Sequence, residues 1–151
     1  MAERKQIVDT LEDLIQISRD GQEGYRSGAE HVKDSELRLL LKEVSLERAK
    51  FAGDLENEAV RWGRADVNRS GTALGAIHRG WANLKAQLGG GDDAILSAIE
   101  TGDDYARERY ERAIEDSETP DNIIGILRNQ AQAVVGTLDR IRAMRSSRRA
   151  A

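Results

Sequence analysis

At 151 residues the chain has the length of one domain, and folding at that size buries roughly two-thirds of the surface that the extended chain exposes, so no covalent staple is needed. It contains no cysteine, which excludes disulfides and thiolate metal ligands and agrees with a reducing compartment. The formal charge is −4, yet Arg140, Arg142, Arg145, Arg148 and Arg149 crowd the end; the residues before them carry −9, which leaves only the tail able to attract nucleic acid.

One proline, 4% aromatic residues and 33% charged residues favour helices over a sheet. The opening MAERKQIVDTLEDL has no apolar stretch of the signal-peptide kind, and no uncharged run approaches the ~20 residues that cross a bilayer, so a soluble cytoplasmic protein is expected. Ile7, Leu11, Leu14, Ser18, Gly21, Tyr25, Gly28 and Val32 recur at steps of four and three and mark helix A over 3–32. Asp34 is placed to cap helix B, 35–62, whose stripe is Leu37, Leu41, Val44, Arg48, Phe51, Leu55, Ala59 and Trp62. So short a link makes A and B antiparallel.

The pattern lapses after Trp62, resumes in a short helix within a crossover over 63–91, and lapses again at Gly89, Gly90 and Gly91. Asp92 is expected to cap helix C, 93–117, with Ile95, Ile99, Ala106 and Ala113 on one side. Thr119 followed by Pro120 is a helix-start signature for helix D, 120–146, which carries Ile124, Leu127, Ala131, Val134, Leu138 and Ile141. Helices of this length each span ~40 Å, and an all-α four-helix bundle is the economical way to bury four stripes. The long B–C segment can return along the bundle, which makes B and C parallel.

The stretches DGQEGYRSGAE at 20–30, ERAKFAGDL at 47–55, HRGWANLK at 78–85 and Tyr110 to Ala113 resemble an uncharacterised bacterial family of ferritin-like four-helix-bundle proteins. The resemblance spans nearly the whole chain; it implies the ferritin-like fold and a stress-related setting at most, but no reaction, substrate or partner.

Ferritin-like di-iron sites use a Glu on each of two helices and Glu-x-x-His on the other two. No Glu-x-x-His occurs here: His31 follows Glu30 directly, and His78 falls in the crossover. Aligned by their turns, Ser18, Arg48, Tyr105 to Arg109 and Gln130 share one level near the middle, and a guanidinium there repels a cation. Arg48 is therefore expected to pair with Glu108 or Glu47, with Ser18, Tyr105, Arg109 and Gln130 around it, either in place of a metal centre or simply to fix register. No metal, cofactor or catalytic residue is assigned. Glu23, Glu30, Glu43 and Glu100 supply further oxygen ligands, but acids at such spacing are ordinary on a solvated helix face.

Gly21, Gly24 and Gly28 line one side of helix A beside Tyr25, and each glycine costs ~1 kcal/mol against alanine, so something bulky is expected against them. A small apolar ligand is one candidate and an aromatic of the chain itself the other. His78 and Trp81, on a stripe with Leu74, Ile77, Leu84 and Leu88, form together with Arg79 a clasp that can plug such a strip; no nucleophile and base are placed together, so catalysis is not expected. The terminal arginines first offset the dipole of helix D, and nucleic acid is expected only through that tail. A non-enzymatic binding or assembly protein is the leading reading, with a homodimer or homo-oligomer through exposed hairpin faces. An iron- or manganese-binding variant or oxidase, and a small-molecule binder using the glycine-lined groove, are the alternatives.

Overall fold

The computed structural model describes residues 2–64 and 79–150, and among these the fold is all-helical, with no strand. Helix α1 spans Ala2–His31 and α2 spans Ser35–Arg61. A 3-10 turn at Arg79–Trp81 runs into the short α3, Ala82–Gln87, followed by α4, Asp92–Glu115, and α5, Asp121–Ala150. The described part of the crossover is therefore this turn and one short helix; Leu74, Ile77 and His78 lie outside the described residues.

Local chemistry sets the helix ends. Asp34 caps α2 as expected, its carboxylate accepting from the N–H groups of Glu36 and Leu37 at 2.9 and 3.1 Å. At the other end Gly63 takes φ +100°, which lets its own N–H reach Val60 and the N–H of Arg64 reach Ala59, a Schellman closure that any residue with a Cβ resists. Asp92 departs from its expected role. It is the first residue of α4, the cap position belongs to Gly91 at φ +95°, and the Asp92 carboxylate instead accepts from the backbone of Lys33 and Asp34 at 2.8 and 3.1 Å. The turn between α1 and α2 thus has two otherwise unpaired N–H groups satisfied by α4.

Contacts between helices give their directions. Asp13 meets Arg109, Tyr25 meets Asp103 and Lys33 meets Asp92, so α1 and α4 are antiparallel. Arg48 meets Asp103 while the turn before α2 meets the start of α4, which makes α2 and α4 parallel. Helix α5 runs opposite to α4, from Gln130 beside Tyr110 to Arg145 beside Asp93. Of the segment between α2 and α4, the described turn at Arg79–Trp81 lies against α4, Gly80 beside Tyr105 and Trp81 beside Gly102.

Two apolar clusters form the core, one above and one below the middle. The first gathers Tyr25, Leu41, Val44, Trp81, Ile95 and Ile99 near the α1–α2 turn; the second gathers Leu11, Leu14, Leu55, Ala106, Leu127 and Val134 toward the opposite end. On α5 the buried isoleucine at the N-terminal end is Ile123, while Ile124 is half-buried, a one-residue difference from the expected stripe. The last arginines of α5 reach acids: Arg145 pairs with Asp93 and Glu100 at 3.1 and 2.6 Å, and Arg148 pairs with Asp34 and Asp92 at 3.0 Å each. These charges tie the C-terminal end of α5 to the N-terminal turn of α4, where helix dipoles of opposite sign meet. None of the helices is long and apolar enough to cross a membrane among the described residues.

Candidate functional site

Between the two apolar clusters lies a polar layer, and its centre is an ion pair. Arg48 donates from Nη1 to Asp103 Oδ1 at 2.6 Å and from Nη2 to Oδ2 at 2.8 Å, the paired geometry that makes guanidinium–carboxylate contacts strong and directional. Tyr25 donates its hydroxyl to the same Oδ2 at 2.5 Å. Both charged side chains are essentially removed from water, Arg48 at 2% and Asp103 at 0% exposure. Burial alone would drive the guanidinium to release its proton; the adjacent Asp103 charge and its hydrogen bonds more than offset this, and the net direction is upward. Arg48 Nε is buried and makes no hydrogen bond among the described residues. The guanidinium carbon lies 5.0 Å from the centre of the Tyr25 ring, a cation–π contact in a dry setting.

The helix backbone makes room for this pair. A Cβ on Gly21 would come within 3.0 Å of Arg48 Nη1, so the first glycine of the strip is where the guanidinium crosses α1. One turn further, a Cβ on Gly24 would fall 2.3 Å from Trp81 Cε3, and on the facing helix a Cβ on Gly102 would fall 2.3 Å from Cε2 of the same ring. The Trp81 indole is inserted between α1 and α4 through two glycine notches, 2% exposed, with its ring edge-on to Tyr25 at 5.5 Å. Gly28 accepts Ile99 and Leu41 in the same way. Gly80 lets the 3-10 turn lie against Tyr105, whose Cβ would be 2.7 Å from any Cβ there.

This corrects the alternative of a glycine-lined groove for a small molecule: the strip is filled by Arg48, Trp81 and Ile99 of the chain itself. Of the residues expected to form the clasp, Gly24, Tyr25 and Trp81 meet; Arg79 opens the turn, and His78 lies outside the described residues.

The expected partners of Arg48 are also corrected. Glu108 is exposed and Glu47 is half-buried; neither reaches Arg48, whose partner is Asp103. Arg109 pairs with Asp13 at 2.8 Å on the rim, and Tyr105 packs beneath Gly80. In place of Tyr105, the buried Tyr110 completes the layer: it donates to Gln130 Oε1 at 2.7 Å, and Ser18 Oγ lies 3.3 Å from its hydroxyl, where it can donate in turn. Asp103 and Tyr110 escape a search for apolar stripes because they are polar, yet they fill the slots between Ile99 and Ala106 and between Ala106 and Ala113 at the same steps of four and three.

Both buried tyrosines resist ionisation. Desolvation, aided by the Asp103 charge, pushes Tyr25 well above its usual value, and desolvation pushes Tyr110 up to about 12 against the opposing pull of the Ser18 hydrogen bond and Arg48. A tyrosine that holds its proton more tightly when folded contributes stability that is intact below its unfolded pKa, 10.0, and is lost as pH rises toward the folded value. Stability is therefore expected to fall between pH 10 and 12, by about 1.4 kcal/mol per pH unit for each such tyrosine. Urea midpoints across that range check it. Tyr110→Phe should flatten the slope, and an unchanged slope would count against the burial of that proton.

Beside this layer, α2 and α5 pack sparsely and leave a groove of about 550 Å³ lined by Glu47, Lys50, Phe51, Ile126, Gln130 and Ala133, among others. Gln130 forms part of its wall and also holds Tyr110, so the groove and the buried layer share one side chain. Among the described residues no three His, Cys, Asp or Glu side chains gather as a metal site would require.

No curated protein matches the chain. A family described only as "Domain of unknown function (DUF2383)" matches over residues 6–116, a span that takes in Ser18, Tyr25, Arg48, Trp81, Asp103 and Tyr110 and stops before α5. That match covers most of the 151 residues, and the chain belongs to the DUF2383 family.

Proposed function

We propose that this protein is a single-domain, non-enzymatic, ferritin-like four-helix bundle with a binding or assembly role, in which a buried guanidinium occupies the level where ferritin-like relatives hold iron. The parallel course of α2 and α4, joined by a long crossover, supports the ferritin-like connection. The observation that carries the rest is the Arg48–Asp103 pair. A carboxylate that projects inward at mid-height is already neutralised by a fixed cation with two hydrogen bonds, and guanidinium cannot give up its charge to become a ligand. The α2–α5 groove, with apolar Phe51 and Ile126 beside charged rims, supports the binding half of the reading.

Ferrous iron tests it directly. Titrated anaerobically in a calorimeter, the protein is expected to show no stoichiometric heat, and in air no ferric charge-transfer band should grow faster than in buffer. Saturable uptake of two irons per chain by the folded wild type would overturn the proposal and establish the metal-binding alternative.

A further inference from the structure

Leu39, Leu46 and Val60 are large apolar side chains left in water among the described residues, at 63, 73 and 44% exposure, and all three are on α2. Leu39 and Leu46 are seven residues apart; the next step of seven is Gly53, and the next is Val60. A Cβ on Gly53 would meet nothing within 4 Å, so the notch faces outward like its neighbours. The four positions form one line down the back of α2, away from the core residues Leu37, Leu41, Arg48 and Leu55. A seven-residue spacing drifts slowly around a helix, and it stays in register only along another helix that wraps it with a left-handed crossing.

The line is complementary to itself. We infer that two copies of this chain associate through α2, antiparallel across a two-fold axis near Ala49 and Lys50, with Leu46 of each copy seated in the Gly53 notch of the other and Leu39 against Val60. Each position of the line then has a partner, as a two-fold interface requires. On one flank Lys42 comes opposite Glu56, whose carboxylate is already held by Arg19 of its own chain at 2.9 Å, so this contact adds only a weak, long-range attraction, and on the other Glu43 comes opposite Asn57. Lys50 approaches its own mate at the axis, and each is already bonded to Asp54 of its own helix at 3.2 Å, which keeps that flank close to neutral. The contact uses ~32 Å of helix, the 21 steps from Leu39 to Val60 at about 1.5 Å each. This inference rests on the assembly half of the proposed function and gives it a surface.

Sedimentation equilibrium from micromolar to millimolar protein tests the inference. The wild type is expected to show a reversible dimer. Leu46→Glu places two like charges in the contact and should weaken association about a hundredfold. Because residue 46 is exposed in the single chain, its circular dichroism and urea midpoint should not change; Leu39→Lys is the second variant should Leu46→Glu fold poorly. For orientation, a nitroxide attached at Lys50→Cys, near the axis, should read a much shorter distance between copies than one at Glu36→Cys, near the end of α2; the absence of native cysteine makes each label unique. A wild type that stays monomeric throughout, a dimer indifferent to both substitutions, or equal label distances would each overturn the inference. None of these results bears on the iron titration, which decides the reading of the midpoint separately.

Discussion

Asp103→Ala is expected to destabilise the protein by about 3–5 kcal/mol, the loss characteristic of leaving a buried charge without its partner. Total stabilities of domains this size run at about 5–15 kcal/mol, so the variant should unfold at a much lower urea concentration and can be partly unfolded at ambient temperature. Three contacts vanish together: both guanidinium bonds to Asp103 and the Tyr25 hydroxyl bond. Water cannot easily replace them, because Arg48 lies beneath Gly21 and against the Tyr25 ring. The companion substitution Arg48→Met with Asp103→Leu removes both charges and fills the space with apolar groups, and such exchanges are commonly neutral or stabilising. The double variant should therefore recover most of what Asp103→Ala loses. If instead Asp103→Ala unfolds within about 1 kcal/mol of the wild type, the level of a solvated surface pair, the ion pair does not hold the midpoint.

Trp81→Ala should be comparably severe, about 3–5 kcal/mol, since it empties the space between two helices that meet around the ring. A large cavity is only one explanation for such a loss, and Gly24→Ala separates the alternatives. On an exposed helix that change gains ~1 kcal/mol from helix propensity. Here the new methyl group would sit 2.3 Å from a ring carbon, so α1 or the indole must shift, and a net destabilisation of about 1–3 kcal/mol is expected from overpacking. In the Trp81→Ala background the clash disappears, and Gly24→Ala should become neutral or stabilising. That reversal of sign, measured as a double-mutant cycle in urea, tests the contact between residue 24 and the indole. Additive effects would mean that the indole does not occupy the notch.

Why Trp81 could be suspected of this role and Asp103 could not is a matter of which signal each leaves in a linear chain. Three glycines on one side of a helix are locally unfavourable, and the simplest compensation is a bulky neighbour, so the strip signals something bulky without deciding between a ligand and an aromatic of the chain. Gly102 forms the other wall of the same slot, but a lone glycine beside a gap in the apolar pattern of α4 carries no such signal. Asp103 occupies an inward slot of α4 at the spacing Ile99, Asp103, Ala106 and Tyr110, but one acid among many on a charged helix carries no mark of burial. Arg48 stood out in helix B because its stripe was otherwise apolar; aligning helices by their turns placed it at the right height but was too coarse to choose between Asp103 and acids a turn away.

The local code determined the boundaries of the long helices to within a few residues, the Asp34 cap, the all-helical class and the inward stripes, because hydrophobic period, capping chemistry and glycine or proline breaks act over a few neighbouring residues. Pairings across the helices belonged to the tertiary structure alone: Arg48 with Asp103, Tyr110 with Gln130, and Asp92 with the turn before α2 rather than with its own helix. A rotation of about 100° per residue turns a one-position difference into a different neighbour, and only the packed arrangement of all four helices selects which polar groups leave water together.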